Sequence, residues 1–172
     1  MIEIIDHGTF CEYHLRQQYE PPKSTQQQKN AFYNPKLGRV QFVPKKAAAE
    51  AQADWFNILR EFQEVIKHPL EGALVVVTRL GWTHPASTPK RYLEYERLKV
   101  TKPDNDNSEK MIYDTLAKLG IIRNDSEITL NITLKVCAPT PYADVSIAHL
   151  KSSEAYTADV ANWVYNKLTN GR

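Results

Sequence analysis

From Ile128 to Val136 apolar and polar residues alternate almost strictly, and the pattern resumes from Ala143 to Leu150 after Pro139-Thr140-Pro141. A period of two sends every second side chain to the same face, so both runs read as strands, and the loop between them predicts an antiparallel hairpin. Leu74-Val75-Val76-Val77 is different: it is β-branched and apolar throughout, too short for a helix, and reads as a strand buried on both faces. Such a strand needs cover on each side. The expected class is therefore α+β, a mixed sheet with flanking helices.

Three helices meet that need. Trp55, Ile58, Leu59, Phe62 and Ile66 recur at three- and four-residue steps within a run from Ala47 to about Lys67. Met111, Ile112, Thr115, Leu116 and Leu119 form a second stripe, from about Asn107 to Leu119, closed by Gly120. Val160, Trp163, Val164 and Leu168 mark a third between Ala155 and Leu168. Residues 2–5 and 39–43 are short strand candidates. The span 17–38, with its Gln-rich tract at Gln26-Gln27-Gln28, reads as flexible and basic. A long connection from Gly81 to Lys102 holds at most a helical turn or two, between Lys90 and Arg97; a connection of that length has a functional reason more often than not. At 172 residues the expectation is one domain, 1–172.

The chemistry concentrates in Lys102-Pro103-Asp104-Asn105-Asp106-Asn107-Ser108-Glu109-Lys110. Asp104 and Asp106, one residue apart on an extended segment, project to the same side and reach one ion. Asp125 lies past the helix that follows, so it joins them only if the fold returns the chain. Three hard oxygen donors with open positions suit Mg²⁺, or Mn²⁺, shared with phosphate oxygens. That points to metal-assisted phosphodiester hydrolysis. Lys110, four residues after Asp106 on the same helix face, is placed to hold a phosphate or orient a carboxylate, or to protonate a leaving group. Two plainer readings compete. Asp106 with Glu109 has capping-box spacing, and Asp114 is placed to pair with Lys110 or Lys118. An EF-hand is excluded, because its sixth and twelfth positions would be Glu109 and Thr115.

The formal net charge of +2 neither requires nor excludes nucleic acid, but bases recur from Lys23 to Lys46 and from Lys90 to Lys102. Cys11 and Cys137 carry no metal or disulfide spacing. The amino terminus is too short and acidic for a secretory signal and no apolar run approaches a membrane span, so a reduced cytoplasmic protein without an organic cofactor is expected.

The run Lys102-Pro103-Asp104, Asp106-Asn107, Lys110, Asp114, Leu116, Gly120, Ile122, Asn124-Asp125-Ser126 resembles the central signature of the RusA family of Holliday junction resolvases. Pro21-Pro22-Lys23, Tyr33-Asn34-Pro35-Lys36 and Val43-Pro44-Lys45-Lys46 resemble the basic amino-terminal region of its phage-type members. The resemblance implies a homodimeric, magnesium-dependent endonuclease that binds four-way DNA junctions and nicks two strands symmetrically. It carries three essential aspartates onto Asp104, Asp106 and Asp125, and an essential lysine onto Lys110. Two departures stand out: Asn124 precedes Asp125 where members usually have a second aspartate, and Ser24 to Gln28 replaces a glycine- and arginine-rich DNA-contacting segment. A two-fold dimer matches the symmetry of a four-way junction, and its expected basic surface comprises Lys23, Lys36, Arg39, Lys45, Lys46, Arg91, Lys99 and Lys102. Tyr92 and Tyr95 are placed either to stack on unpaired bases or to anchor the loop. The alternative function is a module that binds branched or single-stranded DNA without cutting it.

Overall fold

In the computed structural model, which describes residues 2–24, 29–152 and 158–169, the chain runs β1 (Ile2–Asp6), β2 (Phe10–Gln17), β3 (Lys29–Asn34), β4 (Arg39–Pro44), α1 (Lys46–Leu59), β5 (Leu74–Thr83), β6 (Arg97–Leu98), α2 (Asn105–Lys118), β7 (Ile128–Ala138), β8 (Tyr142–Leu150) and α3 (Ala158–Thr169). Six strands form one mixed sheet in the order β1-β2-β8-β5-β7-β6, and β3 and β4 form a separate two-stranded ribbon. The architecture is the α+β mixed sheet in one domain that the apolar patterning requires.

β5 lies at the centre because it has no polar face to spend on solvent. Leu74, Val76, Leu80 and Trp82 point into a core with Trp55, Ile58, Leu59 and Phe62 of the α1 region and Met111, Ile112 and Leu116 of α2. Val75 and Val77 point the other way, into a second core beneath Val160, Trp163 and Val164 of α3. Each large apolar side chain taken fully out of water contributes about 1.5–3 kcal/mol. Gly81 leaves room on this second face: a Cβ there would sit 2.6 Å from the Tyr142 ring.

This burial overturns the expected hairpin. β7 and β8 do not pair with each other; β5 is inserted between them, parallel to β7 and antiparallel to β8. β5, buried along nearly its whole length, lies between the two alternating strands, and each of these has a further neighbour on its other side, β6 beside β7 and β2 beside β8. The first long helix also differs from expectation, since α1 ends at Leu59 and a 3₁₀ turn, Arg60–Glu64, carries Phe62 into the same core. Within the span read as flexible, Lys29–Asn34 is a strand, and Trp82 Nε1 donates to the Pro21 carbonyl at 2.7 Å; residues 25–28 lie outside the described ones. The first three residues of the expected carboxy-terminal helix, 155–157, also lie outside them. β2 had no counterpart in the sequence reading.

α2 ends by a Schellman pattern. Gly120, at φ +70°, donates to Ala117 O at 3.0 Å, and Ile121 donates to Leu116 O at 3.0 Å, with Leu116 and Ile121 both buried. Leu70 then receives the chain: its N–H donates to Ile121 O at 2.9 Å and its carbonyl accepts from Arg123 N at 3.1 Å. These bonds turn the backbone toward β7.

Candidate active site

Asp104 is the N-cap of α2, extended at φ −70° and ψ 151°, yet its carboxylate makes no capping bond. The work of holding the turn falls to Ser108, whose N–H and hydroxyl both donate to the Asp104 carbonyl, at 3.2 and 3.1 Å. The capping-box reading of Asp106 and Glu109 fails as well, because Glu109 accepts from Asn131 Nδ2 of β7 at 3.0 Å. Asp104 and Asp106 are thus solvent-facing carboxylates not consumed by helix capping. They stand in the first turn of α2, where the helix dipole favours negative charge.

The floor of this corner is β7. Asn105 Nδ2 donates to Thr133 O at 2.9 Å, which pins the start of α2 to the middle of the strand. Lys135, two residues on, donates to the carbonyls of Thr101, at 3.3 Å, and Pro103. It therefore ties down the segment that carries Asp104. Burial, and then the charge of Lys99, lower the Lys135 ammonium's pKa, while Asp104 and Asp106 raise it. Lys135 is not legible from sequence, since a lysine in an alternating strand reads as a solvent-side residue; its position opposite buried Leu80 is visible only once β7 pairs with β5.

Asp125 is elsewhere. Asn105 lies against Thr133 and Glu109 against Asn131, so α2 runs antiparallel to β7 and the start of β7 lies toward the helix's far end. Fourteen residues make α2 roughly 20 Å long. Asp125 opens the 3₁₀ turn Asp125–Glu127 just before β7, exposed to solvent. The return of the chain that would join all three aspartates in one protomer does not occur: among the described residues no group of three His, Cys, Asp or Glu side chains is arranged to hold a metal ion. What one chain supplies is the pair Asp104 and Asp106, enough for Mg²⁺ completed by water and phosphate oxygens. Asn124 is committed locally, its side-chain oxygen accepting from Ser126 N at 2.9 Å.

Lys110 is exposed on α2, and neither it nor Asp114 forms an ion pair among the described residues, so the proposed Asp114 pairing with Lys110 or Lys118 is absent. The other expected cations are scattered. Lys36 and Arg39 stand at the turn of the β3–β4 ribbon, and Lys45 caps α1. Lys23 pairs with Glu20 at 3.1 Å and Lys46 with Glu50 at 3.8 Å. Lys99 lies 5.4 Å over the Trp82 ring and donates to Thr101 Oγ1 at 2.6 Å, while Lys102 is exposed immediately before Pro103. Arg91 and Arg97 both lie over the Tyr92 ring, at 4.8 and 4.6 Å, so that ring is an anchor for the loop and not a free stacking platform. Tyr95 remains 63% exposed.

The α+β frame thus presents two open carboxylates at a helix start, with lysines beside them. A family comparison makes the class specific. The model of endodeoxyribonuclease RusA matches residues 16–148, and the chain belongs to that family. The matched span runs from the end of β2 through most of β8, and contains Asp104, Asp106, Lys110, Asp125 and Lys135. Nuclease function on branched DNA junctions, with a divalent metal, is what the family supports. No curated protein matches the chain. Among the described residues no helix is long and apolar enough to cross a membrane.

Proposed function

We propose that the protein is a magnesium-dependent endonuclease that resolves Holliday junctions by paired, symmetric cleavage, acting as a homodimer in the cytoplasm. The observation that carries this reading is the free carboxylate pair. Asp104 occupies a capping position without capping, Asp106 stands beside it, and Lys135 fixes their backbone from below. When bound, Mg²⁺ (Mn²⁺ being the alternative) supplies a polarised water and neutralises charge on the phosphate. The protein's own part is positional: Asp104 and Asp106 are the ion's ligands, and Lys135 holds Asp104 in place. Lys110, exposed on α2 and without an ion pair among the described residues, contacts the scissile phosphate; Lys99 and Lys102 attract the flanking strand.

Asp125 enters this site across a subunit boundary. Within one chain α2 separates it from the pair, and an isologous dimer brings the far end of one protomer's α2 to the near end of the other's. Each chain then contributes to two equivalent sites, which matches the two strands to be cut.

Incubation with a synthetic four-way junction, with and without Mg²⁺, tests the reading. Paired nicks at symmetry-related positions, only with the metal, are expected. Tight junction binding with no product at any metal concentration would instead establish the alternative, a module that binds branched or single-stranded DNA.

A further inference from the structure

β3 and β4 form a two-stranded ribbon separate from the main sheet, and none of their residues whose burial is described belongs to a buried apolar cluster. The register pairs Ala31 with Phe42 and Tyr33 with Val40 on one face, and Phe32 with Gln41 and Asn34 with Arg39 on the other. The second face is partly polar and is tied by Asn34 Nδ2 donating to Gln41 Oε1 at 2.9 Å. Over the pairs Ala31–Phe42 and Tyr33–Val40 the first carries no polar group except the Tyr33 hydroxyl, and it is open: Tyr33 is 63%, Phe42 67% and Val40 52% exposed. An isolated two-stranded hairpin is marginally stable in water, so an uncovered aromatic face of this kind calls for an occupant.

The surrounding charge selects one. From Pro21 to Ala49 there is no aspartate or glutamate, while Lys23, Lys29, Lys36, Arg39, Lys45 and Lys46 fall in that stretch. Planar apolar rings carried on an acid-free, cation-bearing stretch complement a polyanion that also offers planar apolar surface, which is nucleic acid with exposed bases. A second copy of the chain fits poorly, because isologous contact would press two acid-free ribbons together. The ribbon's tip is ordered for such a contact: Asn34 Oδ1 accepts from Lys36 N at 3.0 Å, Asn34 O accepts from Leu37 N at 3.2 Å, and Gly38 takes φ +61°.

We infer that the Tyr33, Val40 and Phe42 face stacks on bases unpaired at a DNA branch point, with Lys36 and Arg39 on the adjoining phosphates. This deepens the junction-endonuclease reading and rests on it for the branched substrate. The test uses the full chain in EDTA, so that no strand is cut, and a four-way junction carrying 2-aminopurine at its crossover. Wild type is expected to quench the 2-aminopurine as its base is stacked upon. The Tyr33→Ala/Phe42→Ala variant, altered only at exposed positions, should fold normally by circular dichroism. It should lose the quench and bind the junction on the order of tenfold to a hundredfold more weakly, with little change on unbranched duplex. The Lys36→Ala/Arg39→Ala variant should weaken binding to both DNAs yet keep the quench on saturation. The inference is overturned by an aromatic variant that retains quench and affinity, by equal loss on duplex and junction, or by conversion from dimer to monomer, which would assign the face to a second copy. Nicking in Mg²⁺ is scored separately, so a binding-only protein and a misassigned ribbon give different results.

Discussion

Two groups of acidic side chains in this molecule have opposite surroundings. Glu12, on β2, is 2% exposed and sits among Trp163 Nε1 at 2.7 Å and Lys167 Nζ at 2.5 Å, both from α3, and the nearby His7 Nε2 at 3.0 Å. Its charge is spent on holding α3 to the sheet. Asp104 and Asp106 are exposed, and α2 is capped without Asp104's carboxylate. A carboxylate with its partners built in is architecture. One set in place by backbone bonds while its oxygens stay open is available to a ligand, and that contrast, more than the count of acids, locates the chemistry.

Breaking each side of the contrast separates the two roles. Asp104→Asn, isosteric and exposed, is expected to lower the single-turnover nicking rate on the order of 10²–10³-fold, with melting temperature and junction affinity in EDTA unchanged. Glu12→Ala reverses the pattern. It leaves Lys167 without its carboxylate and destabilises the fold by about 3 kcal/mol, measured by urea unfolding, while nicking per folded molecule is retained. Lys135→Met, which frees the Thr101 and Pro103 carbonyls, should weaken Mg²⁺ binding measured calorimetrically, or nicking, by roughly 10–100-fold, and Lys135→Arg should restore part of it. The pH dependence sharpens the same comparison. Burial raises the Glu12 pKa, but hydrogen bonds from Lys167 and His7 outweigh it and leave the group below its ordinary value of 4.5. The folded state therefore binds the proton less readily than the unfolded one, and Glu12 stabilises fully above pH 4.5. That contribution is lost as pH falls through the lower folded-state value, and Glu12→Gln should flatten this acid limb of the stability profile. The smallest effect is expected at the ribbon tip, where removing Lys36 alone should reduce the slope of log affinity against log salt by about 1.

The same contrast explains what the sequence reveals and what it conceals. β5, α2 and the two alternating strands are legible because their residues follow a recognisable pattern: a β-branched apolar run in β5, three- and four-residue steps in α2, and alternation in β7 and β8. β2 is not, because buried Glu12 and half-buried His14 occupy positions that read as solvent-facing. His14 accounts for itself only through Asp144 Oδ1, 2.9 Å away and 130 residues later. The insertion of β5 between β7 and β8 is equally hidden, since alternation says which face a side chain takes and nothing about which strand lies alongside. In the site, Asp104 and Asp106 are legible from spacing, because both belong to one local segment. Lys135 and the placement of Asp125 depend on the register of α2 along β7, which is tertiary information. The sequence leaves Tyr92 open between base stacking and loop anchoring for a similar reason: only the folded loop brings Arg91 and Arg97 together over its ring and makes it an anchor.

Mixing subunits tests the shared site most directly. Asp104→Asn and Asp125→Asn proteins, each inactive alone, are combined under conditions that exchange protomers and assayed for Mg²⁺-dependent nicking of a four-way junction. In a mixed dimer with sites shared across the boundary, one site gathers both substitutions and the other is wild type, so single-strand nicking should reappear. If the mixture stays as inactive as its components although exchange is verified, Asp125 does not act with the partner's Asp104 and Asp106, and the shared site is contradicted.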